Sequence, residues 1–370
     1  MRDERIDIDR PVYTDFGAPP WMPPRPLPPG KLPATSEVVV VGAGITGLSA
    51  ALAAAEAGRH VTVVERRFGS GATSRSGGIV LGDTLVGPRA GFEGCDAALR
   101  DWIAQSGADC DLFWKGCLEL ARDESLSSDP IDWNENGRVR LAERVSGGVL
   151  DPSKLQTELA RMARRAGVTM VDGVAVVRLE PSFQSSRAVV VVTERGSVGA
   201  EHVIMAVDAL AWRPSLDPWA ERVITVALTT GPLTDNVLGA IGLGPHQAFY
   251  TRDLPLLWGR VMPDQSLLVG RETLPWPTPD SETRVRDRLD EAGTQLAARI
   301  RGLHPALRHV AVRHVWGGPI ARTAAGVPDV VQDPRLPQVL WVGGYGGHGL
   351  AQAFRMGRLV STSSAVARQD

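Results

Sequence analysis

Gly42, Gly44 and Gly47 follow directly on a run of four valines as G-x-G-x-x-G in "VVVVGAGITGLSAALAAAE", and Glu65 closes the next apolar run. Each residue type has a task in holding a phosphate. The first glycine permits a tight turn, the second lets a pyrophosphate approach the backbone, and the third lets a helix pack closely on a strand. The start of the following helix, with Ile45 and Thr46 in the turn that leads into it, offers amide donors and partial positive charge. An acid at the position of Glu65 accepts hydrogen bonds from a ribose diol and disfavours a 2′-phosphate. The pattern predicts a bound dinucleotide and leaves NAD and FAD open.

The elements that position these residues are legible from periodicity. Val38 to Val41 reads as a buried strand, 47 to 57 as an alanine-rich helix and 60 to 64 as a second strand, which together form a βαβ unit. The eighteen uncharged residues from Val38 to Ala55 are therefore strand, turn and helix rather than a membrane span. "DPSKLQTELARMARRAGVTM" places Asp151 as N-cap, Pro152 at the first helical position and Leu155, Leu159, Met162 and Ala163 on one face. Segments 174 to 179, 187 to 193 and 197 to 200 read as a small meander, and 202 to 207 as a buried strand. Residues 97 to 121 read as helix interrupted near Gly107, and 122 to 148 as polar and turn-rich. Short β-like runs fill 222 to 275, a charged amphipathic helix 280 to 302, and a strand 309 to 316. Residues 17 to 33, "GAPPWMPPRPLPPGKLP", are too proline-rich for helix or sheet and read as an extended arm acting as a linker.

A second glycine- and hydroxyl-rich loop, "GATSRSGG" (71 to 78), follows the second strand, and a third cluster, "GGYGGHGLAQAFRMG", closes the last predicted strand. An NAD site needs neither, whereas FAD must also have its ribityl chain and ring held. On Gly71, Ala72, Arg75, Gly77 and Gly78 the chain resembles the FAD-dependent amino-acid oxidase (DAO) superfamily, closest in pattern to gamma-glutamylputrescine oxidase and the sarcosine and glycine oxidases. The resemblance implies a mixed α/β (α+β) fold, with a Rossmann-like FAD-binding domain of the glutathione-reductase type and a β-rich substrate domain. Domain limits follow as a proline-rich arm 1–36, an FAD-binding domain 37–90, 148–212 and 318–370, and a substrate domain 91–147 and 213–317. It also implies that Arg66, Ala72, Thr73, Ser74, Arg75, Ser76, Gly77 and Gly78 line the pyrophosphate, ribityl chain and flavin edge, and that the Val174 backbone meets adenine. Gly344, Tyr345, Gly346, Gly347, His348, Gly349 and Leu350 would form the far wall, with Tyr345 and His348 flanking the ring and the last helix aimed at its N1 and O2 edge.

The activity implied is oxidation of a C–N bond by hydride transfer to flavin N5, with oxygen giving hydrogen peroxide. Where amino-acid oxidising members carry a carboxylate-clamping arginine after the tryptophan, this chain has Ile320, which points to a primary or secondary amine substrate. An α-amino-acid oxidase using Arg322 or Arg260 as a displaced clamp is the alternative, and an accessory FAD subunit docking through the arm is another. An aspartate often found near the end of that motif is Ala325 here. No cysteine lies beyond Cys117 and His60 matches no linkage site, so the FAD is expected to be noncovalent. None of the three lysines matches the oxygen-activating lysine of sarcosine oxidases, leaving Arg260, Arg271 or His348 to supply positive charge. His348, Tyr250, Arg260 and Arg322 are the catalytic candidates, with Trp258 beside them, whereas Trp102, Phe113 and Trp114 read as core.

Composition narrows the partners. A net charge of -2 and a pI near 6.4 give no basic footprint for nucleic acid or a membrane surface. Three cysteines outside any C-x-x-C pattern favour a reduced, cytoplasmic setting, and the scattered histidines suggest no metal. The charged N-terminus lacks a signal-peptide core. The expected partners are a small amine and molecular oxygen, in a monomer or homo-oligomer.

Overall fold

A computed structural model describes residues 5–8, 15–28, 30–84, 86–182, 188–210, 219–253, 255–277 and 284–362, with Glu272 as backbone only. The chain opens with β1 (Ile6–Asp7) and builds β2 (Thr35–Val41), α1 (Ile45–Glu56) and β3 (Val61–Val64). After β4 (Ile79–Val80) and α2 (Cys95–Ser106) come β5 (Cys117–Arg122), β6 (Trp133–Asn134), β7 (Arg138–Val145) and β8 (Gly148–Val149). Then α3 (Pro152–Arg165) leads into β9 (Thr169–Val171), β10 (Val176–Pro181), β11 (Val189–Thr193) and β12 (Gly196–Met205). β13 (Ala220–Pro232), α4 (Asp235–Ala240), β14 (Ala248–Thr251), β15 (Leu257–Val261), β16 (Ser266–Pro275) and α5 (Val285–Leu303) follow. β17 (Val312–Thr323), β18 (Asp329–Gln332), β19 (Val339–Gly343) and α6 (Gly349–Ser361) complete the order.

One sheet has β9, β3, β2, β12 and β19 parallel at its centre, with the β10–β11 meander, β1 and β18 antiparallel at its margins. Its central strands are continuously apolar because both faces are covered. Val38 and Val40 pack towards α1, α2, α3 and α6, and Val39 and Val41 join Val191, Val203 and Trp341 on the other face. The second sheet runs β17-β13-β16-β15-β14-β5-β7-β6, antiparallel except for β14 on β5, with Leu296 and Ile300 of α5 in its core beside Trp133 and Phe249.

The βαβ unit and the Asp151 cap form as expected: Asp151 Oδ1 accepts from the Ser153 and Lys154 amides at 2.8 and 3.0 Å, with Pro152 in the first turn. Four expectations need correction. Residues 97 to 121 break at Gly107 as expected, where α2 ends with φ 67°, but no second helix follows: Asp111 and Gly116 also take positive φ, and Cys117–Arg122 is a strand between β7 and β14. α2 packs with the first sheet through Cys95, Leu99 and Ile103, although 91–147 was assigned to the substrate domain. β17 continues to Thr323 in the second sheet, past the expected boundary at 317, and the boundary at 212 and 213 lies outside the described residues. The proline-rich arm is no free linker: Phe16 and Pro24 are buried, and the Phe16 carbonyl accepts from the Gly317 amide at 2.7 Å. Among the described residues no helix is long and apolar enough to cross a membrane.

Candidate functional site

Glycine chemistry sets the first wall. Gly42 turns the chain out of β2 at φ 102°, and a Cβ at Gly47 would lie 1.9 Å from the Gly42 carbonyl oxygen, so no larger residue lets α1 start so close to the strand. Gly44 caps α1 without any side-chain cap, which leaves the helix N-terminus facing a cavity of about 1010 Å³ lined by Gly42, Gly44, Ile45 and Thr46. Glu65, leaving β3, also lines it and accepts from the Ala43 amide at 2.6 Å and the Arg67 amide at 2.8 Å. Burial raises its pKa above the ordinary carboxylate value, opposed by those two hydrogen bonds.

The second loop crosses the same cavity as a single 3-10 turn, Thr73–Arg75. Arg66, Ala72, Thr73, Arg75, Ser76 and Gly77 line the space, and Thr73 Oγ1 accepts from the Ile45 amide at 3.2 Å. Ser74 and Gly78 do not line it. Ser74 turns inwards to Gln156 Oε1 (2.5 Å), whose Nε2 donates to the Ala43 carbonyl (2.6 Å), so one buried glutamine ties the two loops together. Gly78 backs onto the Leu150 carbonyl and the Arg260 guanidinium. Arg75 points its Nη1 at the Gly17 carbonyl (2.7 Å), and desolvation lowers its pKa. Val174 lines the cavity at the side of Glu65.

The closing turn brings Tyr345, Gly346, Gly347, His348, Gly349 and Leu350 to the wall, whereas Gly344 stands behind it against Thr323. Tyr345 is buried, and its hydroxyl meets Thr46 Oγ1 at 2.7 Å, stapling the turn to the first helical turn of α1. Burial raises its pKa. Burial lowers that of His348, opposed by a hydrogen bond with the Gly346 backbone, and its Nδ1 is buried. Asp208, just past β12 and at φ 44°, accepts from the Gly344 amide (2.9 Å) and the Ala321 amide (3.0 Å), and burial raises its pKa. It anchors the turn to β17.

The second sheet supplies the opposite wall with Glu119, Tyr250, Trp258, Thr225 and Ile320, and Asp83, in the loop after β4, joins them. Tyr250 donates to Glu119 Oε2 at 2.7 Å. The Tyr250 pKa is raised by burial and then by that carboxylate, and the Asp83 pKa by burial and then by Glu119, Asp96 and Glu143. Arg260, expected in the pocket, lies behind it: 5% exposed, it donates to the Leu150 carbonyl at 2.9 Å, and burial pushes its pKa down to about 10. Arg322 reaches the cavity edge but pairs with Glu221 at 2.9 Å. Trp102 and Trp114 pack against the core as expected, whereas Phe113 is exposed and stacks on His246.

Sequence reasoning missed Asp208, Gln156, Asp83 and Glu119. A polar residue just past the C-terminal end of a parallel strand was a usable signal for Asp208, since ligands of such sheets gather there. Gln156 was concealed on the otherwise apolar face of α3.

The cavity fits a dinucleotide in its uncapped helix N-terminus, its diol-accepting carboxylate and its size, at the top of the usual range of about 300–1,000 Å³. A family model described as "DAO: FAD dependent oxidoreductase" matches residues 37–362. The chain is 27% identical to a probable oxidoreductase OrdL of Rhizobium meliloti, over 92% of this chain and 85% of that one. It is 26% identical to gamma-glutamylputrescine oxidoreductase of Escherichia coli, over 88% and 83%. Similar solved structures include L-proline dehydrogenase from P. horikoshii (TM-score 0.72, 19% identical, 91% and 96% covered). Glycine oxidase from Geobacillus kaustophilus is another (TM-score 0.65, 19% identical, 89% and 94% covered).

Proposed function

The chain belongs to the FAD dependent oxidoreductase family, and from that premise we propose that it oxidises the C–N bond of a primary or secondary amine to an imine. FAD, when bound, supplies a two-electron acceptor for hydride from the carbon beside nitrogen, with oxygen as the final acceptor giving hydrogen peroxide. The chain's contribution is to hold and orient. Gly42, Gly44 and the Thr46 amide would take the pyrophosphate and Glu65 the ribose diol, while Ala72, Thr73, Arg75, Ser76, Gly77 and Gly346 to Leu350 would enclose the ribityl chain and ring, held noncovalently. Segments 37–116, 146–210 and 324–362 would form the cofactor half, and the second sheet with α5 the substrate half.

The observation that carries the amine reading is Ile320: an apolar side chain stands at the clamp position on the second-sheet wall, and Arg322 pairs with Glu221. Asp83 and Glu119 also face the cavity, Glu119 pairing with Arg252 and accepting from Tyr250. A side chain without donors offers a substrate α-carboxylate no bidentate partner there. Across the cavity, His348 of the closing turn is a group suited to orient the amine. The family is also represented by gamma-glutamylputrescine oxidoreductase, which is similar over most of the chain.

The test is anaerobic titration of the purified yellow protein with a panel of amines and α-amino acids, followed by a peroxide assay in air. Amines, polyamine-derived or N-methylated, should bleach the flavin and yield peroxide from the isolated chain. Bleaching by glycine or another α-amino acid with none by amines would overturn the reading.

A further inference from the structure

The arm lies outside the residues that the family model matches, yet it grips the second cofactor loop along its length. Trp21 Nε1 donates to the Ser74 carbonyl at 2.7 Å, in the middle of the 3-10 turn. Pro24 packs on Gly69, so closely that a Cβ there would lie 2.5 Å from the proline ring. At the start of the loop, Asp172 accepts from the Leu27 amide (3.1 Å) on the arm and the Phe68 amide (3.0 Å) on the loop. At its end, the Arg75 guanidinium donates to the Gly17 carbonyl and lies 5.6 Å from the centre of the Phe16 ring.

The arm also fastens to the second sheet. Trp21 meets Trp316 edge-on at 5.6 Å, and Trp316 Nε1 donates to the Arg75 carbonyl at 3.1 Å. The loop is thus pinned between arm and β17, and neither Trp21 nor Pro24 lines the cavity. We propose that residues 15–28 are a brace that sets the second cofactor loop, with Trp21 as its positioning residue and FAD retention as the property it controls. The physical reason is preorganisation: the loop's own hydrogen bonds, such as those from the Ser70 and Ser76 amides to the Arg67 and Thr73 carbonyls, are local turn bonds, and a loop that the arm already holds in its bound shape loses less entropy when the cofactor enters. Trp21 touches neither cofactor nor substrate. It acts through Ser74, Arg75 and Trp316.

This proposal rests on the placement of FAD given above, and the two fail separately. FAD content of the wild-type chain reads the placement, whereas the ratio of dissociation constants between variants reads the brace. The experiment measures FAD affinity by flavin fluorescence, and the visible circular dichroism of the bound flavin, in full-length Trp21→Ala, Trp21→Phe and Arg25→Ala. Trp21→Ala should raise the FAD dissociation constant about tenfold and change the flavin dichroism. Trp21→Phe keeps a ring on Trp316 but loses the N–H, and should show a rise of about threefold. Arg25→Ala, an exposed residue of the same arm, should leave both readouts unchanged. The brace is overturned if Trp21→Ala stays within about twofold of wild type, or if Arg25→Ala weakens binding equally. Should Trp21→Ala not fold, Trp21→Phe decides: an affinity equal to wild type overturns the proposal.

Discussion

At the residue scale, the site is organised by polar groups that spend themselves on backbone. Asp208 gives each carboxylate oxygen one amide, Gly344 and Ala321, and so joins the end of β12, the closing turn and β17 at one point. Asparagine has the same shape but only one acceptor oxygen, so one amide would face another N–H. Asp208→Asn should therefore lower stability by about 1–3 kcal/mol, read by urea denaturation with CD detection, with a matching loss of bound flavin. An unchanged denaturation midpoint would show that the turn is held by other means. Arg75, Arg260 and Arg322 follow the same logic. Each had the charge for an anion site, and each is engaged by Gly17, Leu150 or Glu221 respectively.

At the scale of elements, α1 is the hinge of the site because it meets the strand on one side and α6 on the other. Its small residues serve both contacts. A Cβ on Gly357 of α6 would lie 2.3 Å from the Thr46 carbonyl oxygen and 2.8 Å from Ser49 Cβ, next to the residue that Tyr345 holds. Gly357→Ala should cost about 1–3 kcal/mol by overpacking and shift the α1 N-terminus. Thermal melting together with FAD affinity would check this. A stable variant with native affinity would mean that the helices part without moving the phosphate loop. The alanine run of α1 was legible as a helix in the sequence, but not why it had to be alanine: that depends on α6, some three hundred residues away.

On the scale of the whole molecule, the cavity is lined from both sheets, so a cofactor spanning it would bridge two cores that also meet through β17, the closing turn, the arm and the Arg260–Leu150 bond. Binding to the native state alone stabilises by mass action, about 2.7 kcal/mol when free FAD is a hundredfold above its dissociation constant. Adding FAD to flavin-free protein should raise the melting temperature and leave one cooperative transition. A melt in which only one of two transitions moves would show that the cofactor contacts a single half.

The dinucleotide loop, Glu65 and the Asp151 cap could be read from the sequence because they depend on local sterics: where a Cβ is excluded, where an amide lacks a partner, and how apolar residues repeat over a few positions. The second loop and closing turn were legible as glycine-rich turns, and their roles follow from the family resemblance. Which side chains actually face the cavity was not. Arg260 turns behind it, Arg322 pairs with a residue 101 positions away, Asp83 and Glu119 come forward, and the arm folds back as a brace. Those outcomes depend on strand register and on pairing between segments distant in the chain, and nearest-neighbour chemistry carries no information about either. Tertiary structure alone decided the charge of the second-sheet wall, because a charge is presented or cancelled by whatever partner the fold brings beside it.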